Sequence, residues 1–120
     1  MAKKIMVVDD AAFMRMMIKD TLTKDGLGDI VEAADGEQAV QQYEASKPDL
    51  TIMDITMPNK DGLEALKEIK SKHPEALIVM CSAMGQEAMV VEAIKLGARD
   101  FIVKPFKADR ILKTVRDLLK

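Results

Sequence analysis

The sequence predicts an α/β fold, in which a doubly wound sheet of five parallel strands carries helices on both faces. Two observations predict it: short apolar runs recur along the chain, and segments with apolar residues at helical spacing lie between them. Short apolar runs bounded by turn residues are typical of strands buried on both faces of a parallel sheet. Their alternation with helices predicts five consecutive βα units around one sheet.

The predicted elements follow one another without a long linker. Each predicted strand is an apolar run, and most of these runs end in a polar residue. The predicted strands are residues 4–9, 29–33, 50–54, 77–81 and 100–103. The predicted helices are residues 12–25, 36–46, 63–72, 87–96 and 109–119.

Turn residues and apolar faces justify the helices. Gly26 follows the first helix and Gly97 follows the fourth, and glycine readily takes the left-handed conformation that closes a helix. Pro48 disfavours helical geometry in the residue before it and ends the second helix. The third and last helices show apolar residues at helical spacing. These are Leu63, Leu66 and Ile69 in the third helix, and Ile111, Leu112, Val115, Leu118 and Leu119 in the last.

Composition limits the classes of function. The chain has 120 residues, of which 48% are hydrophobic and 32% charged, so we expect one domain, residues 1–120, without a separate output domain. A net charge of −2 is too small to indicate a nucleic acid or a membrane surface as partner. No apolar run is long enough to span a membrane, and the first strand follows the N-terminus too closely for a signal peptide. We expect a monomeric, cytoplasmic protein.

Polar residues lie at the C-terminal ends of the apolar runs. Asp9 and Asp10 follow the first run, Asp54 ends the third, Ser82 follows the fourth and Lys104 follows the fifth. We expect the flavodoxin-like strand order 2-1-3-4-5, because it brings the ends of strands 1 and 3 together at the switch point, where such folds bind ligands. Carboxylates packed so closely repel one another, which indicates a bound cation.

Two of these residues also have plainer interpretations. Asp10 precedes the first helix, where aspartate is favoured as an N-terminal cap. Cys81 lies at the end of a strand, where a cysteine usually packs as a small hydrophobic residue and does not act as a nucleophile. The combination of acids, hydroxyl and lysine at four strand ends argues against a set of unrelated caps.

The order and spacing of these motifs resemble those of response-regulator receiver domains over the whole chain. The matching segments are residues 7–10, 53–58, 61–62, 81–83 and 104–106. Within that family, residues 10–15 and 82–86 are similar to the stand-alone regulators of chemotaxis. The resemblance supports the predicted fold and implies a function in phosphorylation-dependent signalling.

The resemblance implies a chemical role for each residue of the cluster. Asp54 is implied as the phosphoacceptor, which takes a phosphoryl group from a phosphohistidine. The implied cofactor is one Mg²⁺ per domain, held by Asp10, by Asp54 and by the backbone carbonyl of Thr56, with Asp9 reaching it through water. Lys104 is implied to pair first with the carboxylate and then with the phosphoryl oxygens.

The resemblance also implies a switch. Ser82 offers a hydroxyl to the phosphoryl oxygens, and the Lys104-Pro105 peptide is implied to be cis. Phe101 stands where the family keeps a switch aromatic, and many chemotaxis members have tyrosine there. Phenylalanine keeps the ring but lacks the hydroxyl, so it cannot signal through a hydrogen bond. The alternative is that Phe101 is an ordinary core aromatic.

The implied partners are proteins. A sensor histidine kinase of the chemotaxis type donates the phosphoryl group, the flagellar motor switch receives the signal, and a dedicated phosphatase is a further candidate partner. Met84, Met89 and Phe101 are candidates for the output surface. Phe13 and Met16 lie three residues apart on the first helix and form either a docking patch or a partly buried pair.

The resemblance implies a protein that promotes its own phosphotransfer and dephosphorylation but is not a conventional enzyme. One alternative is a single-domain phosphorelay intermediate. A second is a small phosphatase with an aspartyl-phosphate intermediate, which would need residues for a cap over its substrate. A third is a flavin-binding module, in which Asp9 and Asp10 would repel the phosphate of the flavin.

Overall fold

The computed structural model describes residues 3–119 and contains one parallel sheet of five strands. The strands are β1 Lys4–Val8, β2 Asp29–Ala33, β3 Leu50–Asp54, β4 Ile78–Ser82 and β5 Asp100–Val103. The helices are α1 Ala12–Lys24, α2 Gly36–Ser46, α3 Gly62–Lys72, α4 Glu87–Lys95 and α5 Ala108–Leu118. The strand order is β2-β1-β3-β4-β5, which confirms the predicted fold and topology.

Several predicted ends differ from the observed ones by a single residue. β1 ends at Val8, so Asp9 belongs to the loop, whereas β4 includes Ser82 because that residue pairs with Val103 of β5. α3 begins at Gly62 because the carboxylate of Asp61 accepts a hydrogen bond from the backbone N–H of Glu64 and caps the helix. Capping therefore sets this boundary more sharply than the apolar pattern does.

The sheet separates two hydrophobic clusters, because successive side chains of a strand point to opposite faces. Met6 of β1 packs on the face covered by α2, α3 and α4. Ile5 packs on the other face with Ile18 of α1 and Val115 of α5. Both faces of the central strands are thereby buried, which explains why those strands appear in the sequence as continuous apolar runs.

Cys81 is part of this core. It is buried in β4, and burial raises the pKa of its thiol to about 12, so the group is a neutral thiol at physiological pH. This confirms its interpretation as a small packed hydrophobic residue. Within residues 3–119, no helix is both long enough and apolar enough to cross a membrane.

Candidate functional site

The three predicted carboxylates converge at the carboxyl edge of the sheet. β1 and β3 are neighbours, with Val8 in register with Met53, so the residues that follow them meet. Carboxylate oxygens of Asp9, Asp10 and Asp54 all lie within 4.8 Å of one another. The predicted cluster is therefore present in the folded chain.

The three acids differ in their surroundings. Asp9 is 2% exposed, the Asp54 side chain is 13% exposed, and Asp10 faces the solvent. Burial raises the pKa of the Asp54 carboxyl, and the nearby Asp9 charge raises it further, although the Lys104 ammonium partly opposes both effects. Ionised Asp54 is thus held in an environment that disfavours its charge.

Lys104 links two of the acids. Its Nζ lies 2.9 Å from Oδ2 of Asp9 and 3.2 Å from Oδ2 of Asp54. Burial favours the neutral amine, but the hydrogen bond to Asp9 and the Asp54 charge outweigh it and raise the Lys104 pKa above its usual value. The Lys104–Pro105 peptide is cis, as the resemblance implies. The lysine is therefore a fixed cation that neutralises part of the cluster.

The start of α1 corrects one interpretation of Asp10. The N-cap of α1 is Ala11, which makes no side-chain cap, and it is Oδ1 of Asp9 that accepts a hydrogen bond of 2.9 Å from the Ala11 N–H. The N-cap interpretation of Asp10 is wrong, because Ala11 is the N-cap residue and the carboxylate that accepts from its N–H belongs to Asp9. The Asp10 carboxylate remains available to a ligand at the solvent edge.

Arg15 is a contributor that the sequence did not reveal. Its Nη1 donates a hydrogen bond of 2.5 Å to the backbone carbonyl of Asp9, and its Nε lies 3.2 Å from Glu32 at the end of β2. Arg15 thus braces the loop that carries the acids against α1. The sequence places Arg15 one helical turn beyond Ala11, within reach of the acidic loop. An arginine at that position is just as compatible with a solvent-exposed helix face, so the position alone did not reveal the contact.

Gln86 is a second contributor that was missed. Its Oε1 accepts a hydrogen bond of 2.6 Å from the backbone N–H of Ala83, and its Nε2 donates one of 2.8 Å to Oγ1 of Thr56. Ala83 follows the buried Ser82, and Thr56 lies two residues beyond Asp54. One side chain therefore joins the loop after β3, which follows Asp54, to the loop after β4.

A glycine lets α3 approach the backbone of Asp54. The Gly62 N–H donates a hydrogen bond of 2.7 Å to the carbonyl of Ile55, and a Cβ at Gly62 would lie 2.1 Å from the Asp54 carbonyl oxygen. No side chain fits there without displacing the strand end. Gly62 therefore lets the start of α3 lie directly against the end of β3 and helps to fix the position of Asp54.

A groove of about 660 Å³ lies between the loop after β4, α4 and β5. We call it the distal groove; its lining includes Met84, Val91, Ile94, Phe101 and Val103. Phe101 is 36% exposed, so the interpretation as an ordinary core aromatic is wrong. Met89 is also exposed, at 41%, but it does not line the groove.

Phe13 and Met16 lie on α1, away from the distal groove. They are 75% and 58% exposed, so the partly buried alternative is wrong for both. The remaining interpretation of this pair is an exposed patch on α1.

The cluster has the charge and ligand chemistry that suit a divalent cation. Three carboxylates and the Lys104 ammonium leave a net charge of −2. Oxygen donors with room for water on the exposed side, next to Asp10, suit Mg²⁺, which usually keeps several waters. The residues present therefore fit this ion.

Comparison with known proteins identifies the class to which this site belongs. Residues 5–116 match the family model of the response regulator receiver domain. The chain therefore belongs to the response regulator receiver domain family, whose CheY-like members are signalling proteins of two-component systems and not conventional enzymes.

Within that family, the chain is similar to proteins named "Chemotaxis protein CheY". It is 59% identical to that of Bacillus subtilis (strain 168) over 119 residues, which cover 99% of both chains. It is 53% identical to that of Thermotoga maritima over 120 residues, which cover 100% of both. These full-length matches confirm the resemblance noted in the sequence.

Solved structures agree with this assignment. The CheX-CheY-BeF3-Mg²⁺ complex from Borrelia burgdorferi matches with a TM-score of 0.92 at 34% identity, covering 98% of this chain and 90% of that one. The receiver domain of NtrX from Brucella abortus matches with a TM-score of 0.90 at 38% identity, covering 96% and 97%. The family match favours a receiver over the phosphatase and flavin-binding alternatives.

Proposed function

We propose that this protein is the phosphoacceptor of a chemotaxis two-component system and that Asp54 receives the phosphoryl group. The observation that carries the proposal is the Asp54 carboxylate, which lies at the carboxyl edge of the sheet between Lys104 and two further acids. The similarity to CheY proteins over the full chain supports the link to chemotaxis.

The proposed reaction starts from a phosphohistidine on a sensor histidine kinase. An Asp54 oxygen attacks the phosphorus, the P–N bond breaks, and the imidazole nitrogen keeps the electron pair and takes up a proton. Ionised Asp54 is the nucleophile. Its surroundings destabilise the negative charge of the free carboxylate, and this promotes the attack because the attacking oxygen loses that charge when it bonds to phosphorus. Lys104, 3.2 Å from Asp54, can follow the negative charge onto the phosphoryl oxygens.

The proposed cofactor is one Mg²⁺ per domain. Asp10, Asp54 and the backbone carbonyl of Thr56 would hold it, with Asp9 reaching it through water. When bound, this ion supplies positive charge beside the phosphoryl oxygens. The excess of negative charge in the cluster supports the assignment, as does the Mg²⁺ present in the complex of the similar Borrelia protein.

The proposed output is a change in the distal groove. A phosphoryl group adds acceptor oxygens that draw Ser82 and its loop inward, and Phe101 rotates into the space behind them. Phe101 and Met84 line the groove, and the exposed Met89 lies on the adjacent helix α4. We propose that this surface binds the flagellar motor switch, and that Phe13 and Met16 form a second contact surface on α1.

The proposed setting is a cytoplasmic, monomeric protein in which residues 1–120 act as one receiver domain. A dedicated phosphatase is a further proposed partner, because the similar Borrelia CheY is complexed with CheX. Self-dephosphorylation is also proposed, because the Asp54 side chain is 13% exposed and water can reach the phosphoryl group.

Amide NMR spectra with and without beryllofluoride and Mg²⁺ test this switch, since beryllofluoride takes the place of the phosphoryl group. We expect shifts at Asp54 and also across the distal groove around Met84 and Phe101. Phe101→Tyr should keep the distal shifts, because the ring packs the same way, whereas Phe101→Ala should lose most of them. Shifts confined to the acid cluster in the wild type would contradict the switch.

A further inference from the structure

Gln86 connects the two loops that flank Asp54. Its amide uses both ends: the oxygen holds the N–H of Ala83 at 2.6 Å, and the nitrogen holds the hydroxyl of Thr56 at 2.8 Å. Gln86 is half-buried, and both hydrogen bonds lie at the exposed surface of the two loops. The contact spans 30 residues of sequence and joins the end of β4 to the end of β3.

The loop after β4 has little apolar packing to hold it in place. Met84, its largest apolar side chain, is 80% exposed, and Gly85 has a φ of +91°, a conformation that few other residues adopt. Directed hydrogen bonds therefore contribute a large share of what fixes this loop. The bond from Ala83 to Gln86 involves the residue directly after Ser82.

We propose that Gln86 is a positioning residue that holds the Ser82 loop in its unphosphorylated position. The inference rests on the proposed function, in which Ser82 moves toward oxygens on Asp54. Because Ala83 is bonded to Ser82, that movement pulls the Ala83 N–H away from the Gln86 oxygen. Gln86 cannot follow without releasing Thr56, so the switch must break at least one of the two hydrogen bonds.

Removing Gln86 therefore favours the activated arrangement. A single hydrogen bond of this kind changes an equilibrium by about fivefold. Only the resting state keeps both hydrogen bonds in this proposal. Gln86→Ala should therefore tighten, by about fivefold, the binding of any group that stabilises the activated state. A residue with a merely structural role would have the opposite effect, because its loss would weaken the site.

The test measures the apparent dissociation constant of beryllofluoride, with saturating Mg²⁺, for the wild type and Gln86→Ala. We expect the constant to fall about fivefold in Gln86→Ala and to stay unchanged in Gln41→Ala, which removes an exposed glutamine from α2. An unchanged or increased constant in Gln86→Ala would overturn the proposal.

Thr56→Val gives an independent check, because it removes only the hydroxyl that Gln86 holds. We expect it to tighten beryllofluoride binding in the wild-type background and to have no further effect in Gln86→Ala. Equal tightening in both backgrounds would show that Thr56 acts without Gln86 and would overturn the proposed connection.

The two proposals fail in different ways. If wild type and Asp54→Asn respond identically to beryllofluoride, then Asp54 is not the acceptor and the proposed function is wrong. If the wild type binds beryllofluoride through Asp54 but Gln86→Ala matches it in affinity, only the role of Gln86 is wrong.

Discussion

Two aspartates at the same edge of the sheet have opposite electrostatic surroundings. Asp54 ends β3 and Asp35 follows β2, yet burial raises the pKa of Asp54 whereas the pKa of Asp35 is lowered. The Asp35 oxygens accept hydrogen bonds of 2.8 Å from the backbone N–H of Gln38 and from the side-chain amide of Asn59. These donors favour the charged form of Asp35 and account for its lowered pKa.

The comparison shows what separates a structural carboxylate from a functional one. Asp35 is matched by donors within the fold, so it caps α2 and needs no ligand. Asp54 shares one ammonium with Asp9, so the cluster keeps negative charge that only an external cation can neutralise.

Lys104→Met should have the largest effect on stability. It removes the ammonium that contacts both Asp9 and Asp54 and leaves the deeply buried Asp9 charge without its cation. We expect a loss of about 2–3 kcal/mol in the free energy of unfolding at neutral pH, which is below the range for fully buried pairs because Lys104 is partly exposed. Urea unfolding measures it.

Lys60→Met is the matched control for that prediction. Lys60 also pairs with two acids, Glu37 and Glu68, but these lie at the surface. Surface ion pairs contribute little to stability, so a much smaller loss is expected. Equal losses in the two variants would show that the acid cluster is no more dependent on its cation than an ordinary surface network.

Mg²⁺ should raise the free energy of unfolding by linkage to the native state. At a free concentration tenfold above its dissociation constant, the ion adds about 1.4 kcal/mol. Asp10→Ala should lose most of this response, because it removes an exposed carboxylate of the cluster. Asp20→Ala, on the exposed side of α1, should keep it. Thermal melts with and without Mg²⁺ decide between these outcomes, and an equal response in both variants would count against the proposed ligands.

Asp54→Asn and Asp35→Asn should have opposite, smaller effects in the absence of metal. Asp54→Asn removes a charge that burial and the nearby Asp9 disfavour, and it should raise the melting temperature at neutral pH by about 2–4 °C. Asp35→Asn should lower it by about as much, since an amide offers only one oxygen to the two donors. Changes of the same sign in both variants would show that the two carboxylates do not differ in this way.

The pH dependence of these two effects follows from the pKa directions. The raised pKa of Asp54 means that its ionisation destabilises the fold, so the stability gained by Asp54→Asn grows as the pH rises above 3.8. The lowered pKa of Asp35 gives the wild type a stability that is fully present above 3.8 and is lost as the pH falls through the lower native pKa. Melts from about pH 3 to 7 should show both differences shrinking toward the acid end.

The sequence predicted the fold and the site because both depend on the sheet. Parallel strands end at one edge, so polar residues after apolar runs had to meet there, and Asp9, Asp54 and Lys104 do. Arg15 and Gln86 were missed because their contacts depend on loop paths and side-chain rotamers, which have no periodic signal. For the same reason, the sequence did not separate the buried Asp9 from the exposed Asp10.

The sequence also did not predict that the Phe13 side chain is exposed. Its place on α1 is clear from helical spacing, but whether that face is covered depends on how α1 lies against its neighbours. In the structure Phe13 is 75% exposed. Helical periodicity thus shows which residues share a face of α1, but tertiary packing decides which of those faces is covered.

Intact mass after incubation with acetyl phosphate and Mg²⁺ tests the central claim most directly, because it asks whether Asp54, and not Asp35, is the reactive acid. We expect the wild type to gain one phosphoryl group, Asp35→Asn to gain it as well, and Asp54→Asn to gain none. Peptide mapping should place the group on Asp54. Labelling of Asp54→Asn to the wild-type level, at Asp9 or Asp10, would contradict the account.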